Sequence, residues 1–185
     1  MEKLPSGSKS LEEFTYAGIG SRETPPIYQD KLTKIAEYLS DKYGAILRSG
    51  NAIGADQAFQ KGALAAEVFL PWPSYNGGHP KAVQVDRERL KDCYHLVGKV
   101  HPNPRGLTTA SLSMHARNAN IILGKDLNDP VKFVLYWNPI GKKTGGTVIA
   151  IEMAKLYNLP IFNLASKTEF DEFVLYIKSE EEKFQ

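Results

Sequence analysis

The sequence predicts an α/β protein built on an open parallel sheet of about five strands, with helices on both faces. Three observations predict this fold class. Apolar, β-rich stretches alternate with segments of helical periodicity, glycines follow several of those stretches, and neither a repeat nor a linker divides the 185 residues. Because strand–helix–strand units cross over with a right hand, their strands run parallel. We therefore predict a single domain over residues 1–185, with a flexible segment at residues 1–10.

The composition is that of a soluble globular protein, with 42% hydrophobic residues, 24% charged residues and a net charge of +2. No apolar run approaches the roughly 20 residues that span a bilayer, and the beginning of the chain lacks the apolar core of a secretory signal. The single cysteine, Cys93, has no partner for an internal disulfide. The histidines show no metal-ligand spacing. We expect a cytoplasmic protein that binds neither metal nor membrane, and the small, scattered positive charge gives little support for nucleic acid.

The alternation of patterns assigns each element in turn. The predicted elements are strands at residues 14–20, 45–47, 67–72, 132–137 and 160–164, and helices at residues 26–43, 56–66, 109–123, 148–156 and a last one capped by Thr168. Residues 73–108 are predicted to form long surface loops around a polar segment that is compatible with a helix. A functional lid and a disordered insertion are equal alternatives for them.

The turn after the first strand, Gly20-Ser21-Arg22, supplies a hydroxyl and a guanidinium before the first helix begins. It is not a dinucleotide fingerprint, because Glu23 stands where the third glycine of G-x-G-x-x-G falls. The sequence therefore predicts a ligand-binding turn but no ordinary NAD site.

The turn after the second strand contains Gly50 and Gly54 and leads into a helix that begins near Asp56. The first N–H groups of a helix lack intrahelical partners and carry the positive end of its dipole, so this turn suits a phosphate. Taken alone, a purely structural strand-to-helix connection is an equal alternative.

A third turn of this kind, at residues 144–147, follows the fourth strand. In a parallel sheet the C-terminal ends of all strands lie along one edge, so the three turns are expected to converge there. With strand order 3-2-1-4-5, the first and fourth strands flank the point where the winding reverses, which is where such sheets bind ligands. Ser21, Arg22, Ser49, Thr144 and Thr147 are then expected to face one ligand that carries a phosphate.

A family resemblance emerges from the spaced motifs. They are Gly20-Ser21-Arg22, Ser49-Gly50-Asn51-Ala52-Ile53-Gly54-Ala55-Asp56 with Gly62-Ala63, Arg117-Asn118, and Gly145-Gly146-Thr147 with Ala150 and Ala154. Over about residues 14–165 this set resembles the nucleotide-binding SLOG superfamily, most closely its DprA (Smf) branch, with LOG proteins more distant. The resemblance implies a Rossmann-like fold, a site for a nucleotide-derived ligand or nucleic-acid phosphate, and a homo-oligomer, and we expect no cofactor.

The turns and the resemblance together define the predicted binding set. Its members are Gly20, Ser21, Arg22, Ser49, Gly50, Asn51, Gly54, Asp56, Arg117, Asn118, Thr144, Gly145, Gly146 and Thr147. LOG enzymes have a sequence that resembles P-G-G-x-G-T-x-x-E at the turn after the fourth strand, and its glutamate serves hydrolysis of an N-glycosidic bond. Here Ala150 stands at that position and Glu152 is two residues on, turned by roughly 200° around the helix.

Asp56 and Glu152 remain the candidate catalytic carboxylates. For Asp56 we expect a lowered pKa from helix N–H groups, which weakens it as a base. The predicted function is therefore binding of a nucleotide or nucleotide-derived ligand, with no enzymatic activity favoured. The alternatives are cleavage of a base–sugar bond, or single-stranded DNA binding in which Arg22, Arg48, Arg117, Lys142 and Lys143 contact phosphates.

Overall fold

The computed structural model describes residues 13–183 as a five-stranded, wholly parallel sheet in the order β3-β2-β1-β4-β5. This confirms the predicted fold class and strand order. The predicted flexible segment at residues 1–10 lies outside the described residues. The elements are β1 (Thr15–Gly20), α1 (Pro26–Tyr43), β2 (Ile46–Ser49), α2 (Ala55–Gly62), β3 (Ala65–Val68), α3 (Arg87–Val100), α4 (Thr109–Leu123), β4 (Val134–Trp137), α5 (Gly146–Leu156), β5 (Ile161–Asn163) and α6 (Lys167–Glu182), with short 3-10 turns at Tyr75–Gly77 and Pro104–Gly106.

The sheet is covered on both faces, as its strand sequences require. Successive side chains of a strand point to opposite faces, so Tyr16 packs with α1, α2 and α6, whereas Ala17 packs with α3, α4 and α5. Phe133 lies just before β4 and packs in the first of these two cores. Apolar residues on both sides of the central strands therefore fix the sheet between two helical layers.

Several elements have bounds that differ from the prediction by a few residues, and the differences at α2, β3 and α6 are described here. α2 ends at Gly62, and β3 begins two residues before the predicted strand. A Cβ at Gly62 would stand 2.1 Å from the carbonyl oxygen of Thr33 on α1, so the close packing of α1 on α2 requires glycine here. The last helix is capped by the hydroxyl of Ser166, which accepts from the N–H of Glu169 at 3.3 Å, and Thr168 lies inside the helix.

The segment at residues 73–108 has the predicted outline, with an irregular stretch and one 3-10 turn on either side of a helical segment. It contains the helix α3, whose Cys93, Leu96 and Val97 are buried in the core shared with α4 and α5. After β3, the N–H of Val83 donates to the carbonyl of Val68 at 2.9 Å and extends the sheet edge. Among residues 13–183 no helix is long and apolar enough to cross a bilayer.

Candidate functional site

A cavity of about 300 Å³ lies at the C-terminal edge of the sheet, where β1 and β4 end side by side. This is the point at which the strand order reverses. The predicted residues that line it are Gly20, Ser21, Arg22, Asp56, Arg117, Asn118, Thr144, Gly145, Gly146 and Thr147. Four further predicted residues, Ser49, Gly50, Asn51 and Gly54, lie behind this lining. Within residues 13–183 no cluster of three or more His, Cys, Asp or Glu side chains suits a metal ion.

The turn that leads into α5 is open to solvent. Gly145 has a φ of 109°, which glycine adopts without strain, and no side chain caps the helix that begins at Gly146. Thr144, Gly145 and Gly146 are exposed on the wall of the cavity. Asn118 holds the start of this helix in place, because its Nδ2 donates to the carbonyl of Gly146 at 3.0 Å. The uncapped helix end therefore presents N–H donors toward the cavity.

The turn that leads into α2 is closed by Asp56. Oδ1 of Asp56 accepts from the N–H of Gly20 at 3.0 Å, and Oδ2 accepts from the N–H groups of Gly50 at 3.1 Å and Ala52 at 3.3 Å. The carboxylate thereby joins the end of β1 to the loop after β2. It occupies two N–H groups of that loop, and Asp56 itself borders the cavity.

Burial has the largest effect on the pKa of Asp56. Removal from water raises the pKa of its carboxyl, against the lowering effects of the Arg117 charge and of the three N–H groups. The predicted lowering of this pKa by helix N–H groups is therefore wrong in its net direction. The N–H groups act as expected, but the desolvation of a side chain that is 3% exposed is larger.

Arg117 reaches from α4 into the same region and is 9% exposed. Its Nη1 donates to the carbonyl of Gly50, and its guanidinium lies 5.4 Å from the ring centre of Tyr75. A Cβ at Gly50 would lie 2.2 Å from Nη1, so glycine here makes room for the arginine. Nε of Arg117 is buried without a partner among the described residues. Arg117 thus supplies positive charge to the cavity wall while it also supports the closed turn.

The other predicted residues of the second turn make internal contacts. The hydroxyl of Ser49 donates to the carbonyl of Gly18 at 2.7 Å, and Nδ2 of Asn51 donates to the carbonyls of Tyr75 and Gly78 at 3.3 and 3.2 Å. Gly54 has a φ of 93°, and a Cβ there would stand 2.5 Å from the carbonyl oxygen of Ser21. Position 54 therefore requires glycine because the turns after β1 and β2 pack closely there, and not because a ligand in the cavity needs the space.

The mouth of the cavity carries the exposed charges. Nζ of Lys142 lies 3.4 Å from the carboxylate of Glu23, which links the turn after β1 to the turn after β4. Arg22 is exposed beside them. The exposed charged residues of the lining are therefore two cations, Arg22 and Lys142, and one carboxylate, Glu23, whereas the carboxylate of Asp56 is buried.

Several lining residues were absent from the predicted set. They are Ile19, Glu23, Ala52, Met114, Asn138 and Lys142, of which Lys142 entered only as a DNA contact. Ile19 is the last residue but one of β1 and Asn138 directly follows β4, and this position at the ends of neighbouring strands is the signal in the sequence that could have identified them. Met114 precedes Arg117 by nearly one turn of α4, so the two side chains lie on the same side of that helix and Met114 also reaches the cavity.

Two charged candidates lie elsewhere. Arg48 is buried and pairs with the carboxylates of Glu67 and Asp129, so the prediction that it contacts DNA phosphates is wrong. The carboxylate of Glu152 lies 2.7 Å from Nζ of Lys155 on the outer surface of α5 and does not line the cavity. The helical rotation that separates it from Thr147 explains this position.

The arrangement defines a class of protein: a Rossmann-like parallel α/β sheet with a polar cavity at its switch point. No family model and no curated protein matches the chain. The fold is similar to that of DNA processing protein A from Helicobacter pylori, a structure described for its single-stranded DNA binding mode. The TM-score is 0.52 at 18% sequence identity, over 97% of this chain and 87% of that chain. This likeness shows a shared fold.

Proposed function

We propose that the protein binds a phosphate-bearing, nucleotide-derived ligand in the cavity between β1 and β4. The observation that carries the proposal is the uncapped start of α5, which opens into a cavity also lined by Arg22, Arg117 and Lys142. Helix N–H groups and nearby cations together favour a multivalent oxyanion such as phosphate. A cavity of about 300 Å³ lies at the lower end of the range for small-molecule sites, which suits a mononucleotide.

Binding without hydrolysis is the activity that the carboxylates favour. Glu152 is paired with Lys155 away from the cavity, and both oxygens of Asp56 accept N–H groups. A general base must reach the proton that it removes, and neither group is free to do so. Membership of the SLOG superfamily, a single domain, a homo-oligomeric state and a cytoplasmic location stay part of this proposal, because they rest on sequence and resemblance.

Single-stranded DNA binding is the second candidate. The similar fold of DNA processing protein A supports it, as do the exposed side chains of Arg22, Lys142 and Lys143 at the same edge of the sheet. Lys143 distinguishes the two candidates, because it is exposed at this edge but does not line the cavity. A strand of DNA can contact it, whereas a mononucleotide within the cavity cannot.

Titration calorimetry with the four ribonucleoside 5′-monophosphates and with ribose 5-phosphate tests the first candidate. Arg22→Ala should weaken binding by about 1.5–3 kcal/mol, typical of a hydrogen bond to a charged group, without lowering the Tm. Lys155→Ala is the matched control, since it removes an exposed cation far from the cavity. If the wild-type protein binds none of these phosphate compounds, the proposal is wrong.

Fluorescence anisotropy with a labelled single-stranded oligonucleotide tests the second candidate. For DNA binding, the logarithm of the affinity should fall steeply with the logarithm of the salt concentration. Lys143→Ala removes one phosphate contact and should reduce the magnitude of that slope by about 1. Nucleotide affinity should be the same in Lys143→Ala and wild type. A slope near zero would rule out the DNA candidate.

A further inference from the structure

A groove runs between α1 and α6, separate from the cavity at the ends of β1 and β4. It consists of two adjoining cavities of about 580 and 350 Å³, which share Lys34, Ile35 and Phe170 in their linings. α1 lines it from Tyr28 to Lys42, and α6 lines it from Lys167 to Glu181. Over that stretch each helix rises by about 21 Å, or about four turns. The groove therefore has the length of a short helix, and among residues 13–183 none lines both it and the cavity at the switch point.

The floor of the groove is apolar. Phe173 and Ile177 of α6 are buried in the core that they share with α1, whereas Ile35 of α1 is only half-buried. Phe170 and Tyr38 are 37% and 49% exposed. A patch of partly exposed apolar side chains within a rim of charges indicates an interaction surface. The floor therefore favours a partner that supplies apolar side chains.

Both rims of the groove are cationic, although the whole chain has a net charge of only +2. The lining contains five lysines, which are Lys31, Lys34 and Lys42 on α1 and Lys167 and Lys178 on α6. Glu181 is the one carboxylate of the lining within residues 13–183, and it is already paired with Lys42. Lys31, Lys34 and Lys178 form no salt bridge with any residue that the structure describes. The rims therefore favour a partner that supplies carboxylates on both sides of the groove.

We propose that the groove between α1 and α6 docks an amphipathic helix of a partner protein, whose apolar stripe is flanked on both sides by acidic residues. Helices commonly bind other proteins by laying an apolar stripe, formed by residues i, i+3, i+4 and i+7, into an apolar groove. The floor matches such a stripe in chemistry, and the groove matches a helix of about four turns in length. The lysines on both rims are complementary in charge to acidic residues on the two flanks.

The chemistry of the groove disfavours two other occupants. A second copy of the chain, docked through the same groove, would place its own lysines against these, and like charges repel. Single-stranded nucleic acid stacks its bases on exposed aromatic faces, whereas Ile35, Val174 and Ile177 offer aliphatic surface along the groove. An acidic amphipathic helix is complementary to the floor and to both rims.

Fluorescence anisotropy of a labelled model peptide, titrated with the full-length protein, tests the proposal. The peptide has about 16 residues, with leucine at i, i+3, i+4 and i+7 and glutamate on both flanks, and a control peptide has lysine in place of every glutamate. The glutamate peptide should bind with saturation, and the lysine peptide should bind at least about tenfold more weakly. Helix content measured by circular dichroism should rise on binding, because a free peptide of this length is only marginally helical in water.

Two substitutions locate the binding to the groove. Lys34→Glu reverses a rim charge that has no salt bridge among the described residues, and Phe170→Ala removes a partly exposed ring. Each should weaken binding of the glutamate peptide by about tenfold and leave the Tm unchanged. Lys91→Glu is the matched control, because it reverses an exposed lysine of α3 on the other face of the sheet, and peptide affinity should stay the same.

Several outcomes would overturn the proposal. The groove does not dock such a helix if the glutamate peptide does not bind, if both peptides bind equally, or if Lys34→Glu and Lys91→Glu bind alike. Competition by a single-stranded oligonucleotide that Lys34→Glu abolishes would assign the groove to nucleic acid. A dimer in analytical ultracentrifugation that Phe170→Ala dissociates would assign it to a second copy, and tighter peptide binding by Leu4→Ser would assign it to residues 1–12.

Discussion

The turns before α2 and α5 at the C-terminal edge of the sheet are both rich in glycine but differ in structure. The turn before α2 is buried except for Ile53, and Asp56 accepts the N–H groups of Gly50 and Ala52 in it. The turn before α5 is exposed, and its helix has no side-chain cap. Both fit the pattern of a phosphate-binding turn, yet only the first has a carboxylate of the protein bound to its N–H groups. The difference teaches that the pattern alone does not distinguish a turn that the protein's own carboxylate occupies from one that faces solvent.

The closed turn still contributes to the site, by a different route. Asp56 and Arg117 join it to the end of β1 and to α4, and both border the cavity that the open turn faces. One turn is therefore joined to the elements of the cavity wall, and the other faces the cavity in which we propose that the ligand binds. Substitutions in the closed turn should act on stability, and substitutions in the open turn should act on binding.

The largest effect is expected from Asp56→Ala. The substitution leaves three backbone N–H groups without their acceptor and removes the negative charge beside the buried Arg117, so the free energy of unfolding should fall by about 3–5 kcal/mol. Urea denaturation measures this change. Thr147→Ala in the open turn is the control and should change stability by less than about 0.5 kcal/mol. Equal effects of the two substitutions would contradict the division between closed and open turns.

A matched pair of glycines gives the next largest effect. Gly54→Ala places a Cβ at a φ of 93° and 2.5 Å from the carbonyl oxygen of Ser21, and it should cost about 1–3 kcal/mol or more of stability. Gly146→Ala adds a Cβ with no atom within 4 Å at the start of a helix, and it should be neutral or stabilising by up to about 1 kcal/mol. The Tm values of both variants check this. A large loss of stability in Gly146→Ala would show that the open turn is also packed.

The contrast between the two turns shows which features could be predicted from the sequence and which could not. The bounds of α4 follow from local patterns, because apolar periodicity and the glycine after the helix decide them, whereas the confirmed strand order is the common order of such sheets. Which turn is closed does not follow, since Asp56 accepts from Gly20, 36 residues away in the chain, as well as from its own loop. For α3 the sequence predicts only a polar segment that is compatible with a helix, because the contacts of Cys93 and Val97 with α4 and α5 that fix it in the fold are not local.

A smaller effect concerns pH. Burial raises the pKa of Asp56 in the folded state above its value in the unfolded chain, which is about 3.9 for an ordinary aspartate. A raised folded-state pKa means that the folded protein holds this proton more tightly, so the associated stability is present at low pH and is lost as the pH rises through the folded pKa. Asp56→Asn does not titrate there. The free energy of unfolding of wild type minus that of Asp56→Asn should therefore decrease as the pH rises from about 4. An increase would show that the N–H groups and Arg117 outweigh desolvation.

The smallest expected effect belongs to Glu152→Gln, on the helix that the open turn begins. Glu152 pairs with Lys155 three residues on, both side chains are roughly half exposed, and such surface pairs contribute about 0–1 kcal/mol. Its carboxylate lies outside the cavity, so nucleotide affinity should match that of wild type. Incubation of either protein with nucleoside 5′-monophosphates, followed by chromatography for free base, should show slow or no release. Rapid release by wild type that Glu152→Gln abolishes, with folding intact, would mean that this carboxylate reaches a bound nucleotide, and the protein would then be an N-glycosidase rather than a binding protein.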